Sequence, residues 1–267
     1  MSTPNYTLAE LMICAAADAW KDDGEVLATG IGLLPRLAAS LAMKTCNQDL
    51  MMTDSEAWLL TEPNPVGSRG KDFMPQYETW MGFSRIFDNV WSGARHAMVG
   101  PTQIDRYGQS NISHIGGTHQ KPGVQMLGAR GYPGNSISHA NSFLVPAHSR
   151  RVFVDGECDM VCSFGYNPQR LPRGYTLDDP DVRRIITDLC VMDFGGPDHQ
   201  ARILSLHPGV SHALVEENTG FALAAAAEIP ETAAPTGQQL EIIAALDPDN
   251  LRATQLRGNP PGIRTGE

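Results

Sequence analysis

Gly30-Ile31-Gly32-Leu33-Leu34-Pro35 lies between a short apolar run, Glu25-Val26-Leu27-Ala28-Thr29, and a stretch from Arg36 to Thr45 with apolar residues at helical spacing. A second apolar run, Leu50-Met51-Met52-Thr53, follows and leads to Ser55-Glu56. The order reads strand, glycine turn, helix, strand, acidic residue. Proline suits the first turn of a helix, so the helix is expected from about Pro35. Two strands joined by a helix make a βαβ unit, which favours parallel pairing. The chain is therefore read as α/β, with an open, mostly parallel central sheet and flanking helices. It is taken as a single domain over residues 1–267, with a tail that frays from about residue 257.

Toward the N-terminus, residues 7–21 read as a helix. Thr7 is its cap and Glu10 completes a capping box. Leu8, Leu11, Met12, Ala15 and Ala19 mark its apolar face, and Asp22-Asp23-Gly24 ends it. Toward the C-terminus, Pro63, Pro65, Gly67, Gly70 and Pro75 predict an irregular loop over residues 61–75. Tyr77, Trp80, Met81, Phe83, Ile86, Phe87, Val90 and Trp91 then crowd a partly helical stretch, which predicts a buried or subunit-interface face. From His96 onward, short strand-like runs alternate with glycines. They cover residues 96–100, 103–105 and 111–113 around a Tyr107-Gly108 turn, and 124–127, 143–145, 151–154, 160–162, 184–186, 189–192 and 202–206. A helix capped by Ser211 runs to residue 217, and an amphipathic helix spans 238–246.

Composition narrows the function classes. The chain is 42% hydrophobic with a formal net charge of -10. An acidic balance disfavours sequence-independent nucleic-acid binding, which needs a basic surface. The N-terminal residues lack the basic-then-apolar layout of a signal peptide, and no apolar run approaches the roughly 20 residues of a membrane helix. The five cysteines are irregularly spaced, and Cys158-x-x-x-Cys162 has no partner pair. Buried free thiols in a cytoplasmic setting are expected, with no zinc site.

Several segments can carry chemistry. Gly30 and Gly32, between strand and helix, are placed to aim backbone amides at a ligand. The third glycine of a dinucleotide fingerprint is missing, with Pro35 and Arg36 in its region. Ser55 and Glu56 follow the second strand at its C-terminal end, where ligands bind in parallel sheets and where a carboxylate can be base or nucleophile. Gly128, Gly131 and Gly134 surround Tyr132, Pro133 and Asn135 in a loop that lets a ligand approach the backbone, holding an oxyanion or a pantetheine chain; a plain turn is the alternative. His114 and His119 stand in glycine-rich surroundings and can face a pocket. The eight histidines form no HxH or HExxH array, and no Gly-x-Ser-x-Gly elbow or P-loop occurs.

Taken together, Gly30-Ile-Gly-Leu-Leu-Pro35, Ser55-Glu56, Val99-Gly-Pro-Thr-Gln-Ile-Asp105 with Tyr107-Gly108 and Asn111-Ile-Ser113, the Gly128 loop and Glu217-Asn-Thr-Gly-Phe221 resemble the β subunits of class I coenzyme A transferases. The resemblance runs from about Tyr6 to Asp247 and implies a class I CoA-transferase-like fold that pairs with an α subunit, in an α2β2 assembly. It implies no cofactor, CoA being part of the substrate. Catalysis falls to Ser55 and Glu56, and substrate or CoA binding to Gly30, Gly32, Gln103, Asn111, Gly128, Gly131, Tyr132 and Asn135.

The transferase motif is Glu-Asn-Gly or Glu-Ser-Gly, whereas this chain has Ser55-Glu56-Ala57-Trp58. Counting from Gly30 with one inserted leucine puts Ser55 at the nucleophile position; the other register leaves Glu56 there. That departure resembles the ring-cleaving hydrolases of cholesterol catabolism. In those enzymes a carbon–carbon bond beside a CoA thioester is broken, with the main acid–base group expected on the α subunit. CoA transfer through a glutamyl-CoA thioester at Glu56 is the alternative.

Overall fold

The computed structural model describes residues 5–54 and 57–263. Backbone contacts divide the chain into two compact units. One runs to Val99 and resumes at Thr232; the other is Gly100–Glu231. Strands and helices are numbered in chain order.

The first unit is organised around the glycine turn. Strand β1 (Leu27–Gly30) pairs in parallel with β4 (Arg95–Val99). Helix α2 (Leu33–Lys44) starts two residues earlier than Pro35 suggested, with Gly32 as its cap at φ 113°. A Cβ on Gly30 would lie 2.3 Å from the Pro35 carbonyl oxygen. The glycine is thus demanded by how tightly α2 turns back over the end of β1. Ala38, Ala39, Leu41 and Ala42 give α2 a close-packed inner face against α1 (Leu8–Ala17). The Thr7–Glu10 capping box forms as expected. Glu10 also receives Arg252 Nη2 at 2.9 Å, and Arg252 Nη1 reaches Asp247 Oδ2 at 3.0 Å, so a buried ion network ties α1 to the C-terminal segment. Helix α6 (Gly237–Leu246) packs on α2 and carries a second capping box, Thr236–Gln239.

Leu50–Thr53 does not become a full strand. Met51 bridges Leu27 in parallel, with Ala28 N donating to Met51 O at 2.9 Å, but the run bends away to meet Leu59 across an antiparallel bridge at Thr53. β2 (Trp58–Leu60) and β3 (Tyr77–Trp80) form a hairpin of their own, and Trp58 stacks on Tyr77 at 4.9 Å. Helix α3 (Gly82–Trp91) follows with its aromatic residues outward.

In the second unit, β5 (Gln103–Ile104) and β6 (Ser110–Asn111) make the hairpin expected around Tyr107-Gly108, and β7 (His114–Gly117) pairs with β8 (Pro122–Gln125). The sheet strands are β9 (Ala140–Val145), β10 (Val182–Thr187), β11 (Cys190–Asp193), β12 (Arg202–Leu206) and β13 (Ala224–Ala225). β9/β10 and β12/β13 are parallel, while β10/β11 and β11/β12 are antiparallel. The β10–β11 reversal is forced by a connection of only Asp188-Leu189, whose amides at Leu189 and Cys190 both donate to Thr187 Oγ1 at 3.0 Å. Helix α5 (His212–Glu217) is capped by Ser211, as its sequence predicts.

Two expectations fail here. Residues 151–154 and 160–162 are not strands. Each meets only a two-residue strand: Phe153 makes a single parallel bridge to Ile104 of β5, with Val154 N donating to Ile104 O at 3.1 Å, and Cys162 N donates to Ser110 O of β6 at 2.8 Å. The second half of the glycine loop is helical, as α4 (Tyr132–Ser138), because Pro133 fits a first helical turn. Among the described residues no helix is long and apolar enough to cross a membrane.

Candidate functional site

Ser55 and Glu56 lie outside the described residues, but both flanks are defined. Ala57 N donates to Asp54 O at 3.1 Å, Asp54 N to Trp58 O at 3.0 Å, and Met81 N to Ala57 O at 2.9 Å. Ala57 is 4% exposed and holds φ 62°, the left-handed region that an alanine adopts only at a cost of about 1–2 kcal/mol. Asp54 is gripped from the side: Asn64 Nδ2 and Arg69 Nη1 donate to Oδ2 at 2.9 and 3.2 Å, and Arg36 Nη2 stands 3.9 Å from Oδ1. This Arg36–Asp54–Asn64–Arg69 network went unseen in the sequence, where its members are scattered from residue 36 to residue 69. Beside it, the Ile31 amide is committed to Met98 O at 2.9 Å, so the glycine turn offers fewer free donors than its composition suggests.

In the second unit, Gln103 and Asn111 are 5% and 0% exposed and face each other across the β5–β6 hairpin. Asn111 Nδ2 donates to Gln103 Oε1 at 2.7 Å and to His114 O at 2.8 Å; its Oδ1 accepts from Ser113 N at 2.9 Å. Both amide hydrogens of Asn111 are therefore used inside the unit, and the pair is a rigid frame. His114 belongs to the same frame, with Nδ1 3.3 Å from Ser113 Oγ and its ring edge-on to His119 at 6.2 Å. Ser110 Oγ and Ser163 Oγ are 2.7 Å apart, and Ser110 Oγ lies 3.5 Å from the Tyr132 hydroxyl. Desolvation pushes that phenol up to about 12, so it stays a neutral donor.

Gly128, at φ 89°, and Gly131 precede α4, and the Asn135 side chain passes 3.6 Å from where a Gly131 Cβ would be. The structure thus brings Tyr132, Ser110 and Ser163 together, and Gln103 with Asn111. Asp105 was missed as a site candidate. It is 1% exposed, accepts from Tyr107 N and Gln109 N at 3.0 and 3.1 Å, and burial raises its carboxyl to about 7.

The Glu217-Asn-Thr-Gly-Phe221 stretch is structural. Thr219 Oγ1 meets His148 Nε2 at 2.9 Å, and a Cβ on Gly220 would strike Asp155 N at 2.4 Å. The five cysteines are all unpaired, and among the described residues no group of three or more His, Cys, Asp or Glu side chains is placed to hold a metal.

Each unit has a cavity. In the first, about 360 Å³ is lined by residues that include Glu25, Asp49 and Glu78 and none of the expected site residues. Its uncompensated acids repel a polyphosphate. In the second, about 200 Å³ opens beside Pro133 and Ser163.

No family model matches the chain. It is similar over 247 residues, at 41% identity, to the cholesterol ring-cleaving hydrolase IpdB subunit of Rhodococcus jostii (strain RHA1), covering 92% of this chain and 94% of that relative. It superposes on the crystal structure of Rhodococcus jostii RHA1 IpdAB with a TM-score of 0.85 and 40% identity, over 94% of this chain and 98% of that one. At 33% identity over 249 residues, covering 91% and 94%, it is also similar to one subunit of a 3-oxoadipate CoA-transferase from Pseudomonas knackmussii (strain DSM 6978 / CCUG 54928 / LMG 23759 / B13).

Proposed function

The chain belongs to the IpdB-subunit family of class I CoA-transferase-like proteins, and on that premise we propose that it is the β subunit of a hydrolase that opens the last steroid-derived ring of a CoA-linked cyclic keto-enoyl acid. The observation that carries this is the 41% identity sustained over 92% of the chain. The chemistry is a retro-Claisen cleavage. Water oxygen bonds to the ring ketone carbon, and the bond from that carbon to the carbon beside the thioester breaks. Its electron pair passes to the thioester enolate, which is then protonated. Fixed donors aimed at the enolate oxygen lower the barrier.

In the second unit those donors are assigned to the backbone around Gly128 and Gly131 and to the neutral Tyr132 hydroxyl; in the first unit Gly30 and Gly32 are kept as substrate- or CoA-contacting positions. Asn135 contributes to substrate contact, and Gln103 with Asn111 keeps the wall rigid. Ser55 or Glu56 meets the reacting group, and the main acid–base residue belongs to an α subunit. The left-handed Ala57 supports the register with Ser55 at the nucleophile position, since that conformation is where the transferase motif has its glycine. We assign the assembly as α2β2 in the cytoplasm; the five unpaired thiols suit a reducing compartment.

The exposed α3 face is assigned to the α subunit, because the similar proteins are themselves named as subunits. A CoA-transferase using Glu56 is the second reading, supported by kinship to the 3-oxoadipate enzyme's subunit. Hydroxylamine or borohydride treatment of the α–β complex with acyl-CoA separates the two. No adduct at Glu56 is expected; a trapped glutamyl-CoA there establishes transfer.

A further inference from the structure

Three aromatic rings stand on the β2–β3 hairpin that follows Ser55-Glu56 in the chain. Trp58 and Trp80 are Cα partners in this antiparallel pair, so their side chains share a face. Tyr77, three positions before Trp80, belongs to the opposite face by simple alternation. A register shift between Leu59 and Leu60, which skips Glu78, re-aims it. The Tyr77 ring then stacks on Trp58 at 4.9 Å. Leu59, on the opposite face from Trp58, lines the acidic cavity of the first unit, and none of the three aromatics does. Trp58 is half-buried, while Tyr77 and Trp80 are 38% and 55% exposed. A Cβ on Gly82, at φ 70°, would lie 3.4 Å from Trp80 Cη2, so the indole rests against the backbone where the hairpin passes into α3.

This face is tied to the flanks of Ser55-Glu56. Asp54 N donates to Trp58 O, and Met81 N to Ala57 O. Trp58 is two residues beyond Glu56 and three beyond Ser55, a reach of at most about 7 and 11 Å along the chain. In the cleavage proposed above, the ketone carbon under attack and the carbon beside the thioester are both ring members. The group that meets the substrate, at Ser55 or Glu56, therefore has the ring against it. Apart from its ketone the carbocycle offers only C–H surface, which flat aromatic side chains desolvate well.

We propose that the Trp58–Tyr77–Trp80 face is the platform for the substrate's carbocycle, and that Trp80 is the residue that selects a ring over an open chain. The proposal rests on the ring-cleaving reading above. Phe83, Phe87 and Trp91 continue the apolar surface along α3, which is assigned to the subunit contact; Trp80 stands where the two surfaces meet.

The test uses the purified α–β complex and a pair of probes of equal carbon count, cyclohexanecarbonyl-CoA and heptanoyl-CoA, so that the shared CoA cancels in the ratio of their affinities. Calorimetric titration of the wild type is expected to show the cyclic probe bound about tenfold more tightly. Trp80→Leu should remove that preference and raise KM for the cyclic keto-enoyl substrate about tenfold, with kcat changed by less than about twofold. Trp80→Phe keeps a flat face and should retain most of the preference. An undiminished preference in Trp80→Leu overturns the proposal. So does a Trp80→Phe complex as impaired as Trp80→Leu. Loss of α–β assembly in Trp80→Leu places the indole inside the subunit contact and overturns it equally. If the wild type opens its substrate's ring but binds both probes alike, the platform fails and the function stands. If it opens no CoA-linked ring and binds neither probe, both fail.

Discussion

Helices α1 and α3 each have ten residues and both belong to the first unit, but nine residues of α1 are buried and only Gly82 and Val90 of α3 are. Phe83, Phe87 and Trp91 stand 66%, 57% and 75% exposed, spaced four apart and therefore on one face. Trp80, at 55%, extends the patch onto β3. The chain completes the environment of α1 by itself, through α2, α6 and the Glu10–Arg252 pair. It does not complete that of α3, and contiguous exposed aromatics of this size mark a surface that something else covers.

The comparison can be broken from the inside first. Leu11, fully buried in α1, should cost about 3–5 kcal/mol when truncated to alanine, read as a fall in the urea midpoint of the chain. A small change would mean that α1 is loosely packed. The sealed polar cluster of the second unit should follow next. Burial lowers His148 to about 4, so the folded state holds it neutral while the unfolded chain titrates near 6.5. The unfolded state binds the extra proton, so this contribution is intact above pH 6.5 and is lost as pH falls toward 4. The loss is on the order of 3 kcal/mol in full. Midpoints measured down that range should fall, and fall less steeply in His148→Gln.

At α3 the sign of the comparison reverses. Phe87→Asp should leave the chain's own midpoint almost unchanged. Assembly with the α subunit should weaken instead, at a cost of about 2 kcal/mol, a more than tenfold rise in Kd by analytical ultracentrifugation. A drop in the lone chain's stability would place that ring in a core. The smallest effect is at the α1 cap, where Thr7→Ala should cost about 1 kcal/mol by thermal melting.

What the sequence made legible was mostly local. The Thr7–Glu10 box, the Ser211 cap, the Tyr107-Gly108 hairpin and the three strands from Val182 to Leu206 are each set by residues within a few positions of one another. The aromatic stretch was expected as a buried or subunit-interface face; within this chain Phe83, Phe87 and Trp91 are not buried, which leaves the interface reading as the one to test. The strand expected at residues 151–154 stops at a single bridge because its partner, β5, is only two residues long, and apolar periodicity says nothing of a partner's length. Asp105 and the Arg36–Asp54 network were invisible for a related reason: a lone Asp becomes informative only when its neighbours in space are known. The strand, glycine turn and helix at residues 27–44 formed as read, but the second strand of the expected βαβ unit did not. The physical demand on Gly30, though, is helix-to-strand contact at Pro35 rather than a bound phosphate.

The most direct test of the account is to run the α–β complex on its CoA-linked cyclic keto-enoyl substrate in heavy-oxygen water, with a free carboxylic acid present as a potential CoA acceptor. The account predicts a ring-opened product with its thioester intact, one heavy oxygen in the new carboxylate and no CoA on the acceptor acid. CoA appearing on the acceptor, with the ring still closed, would contradict it.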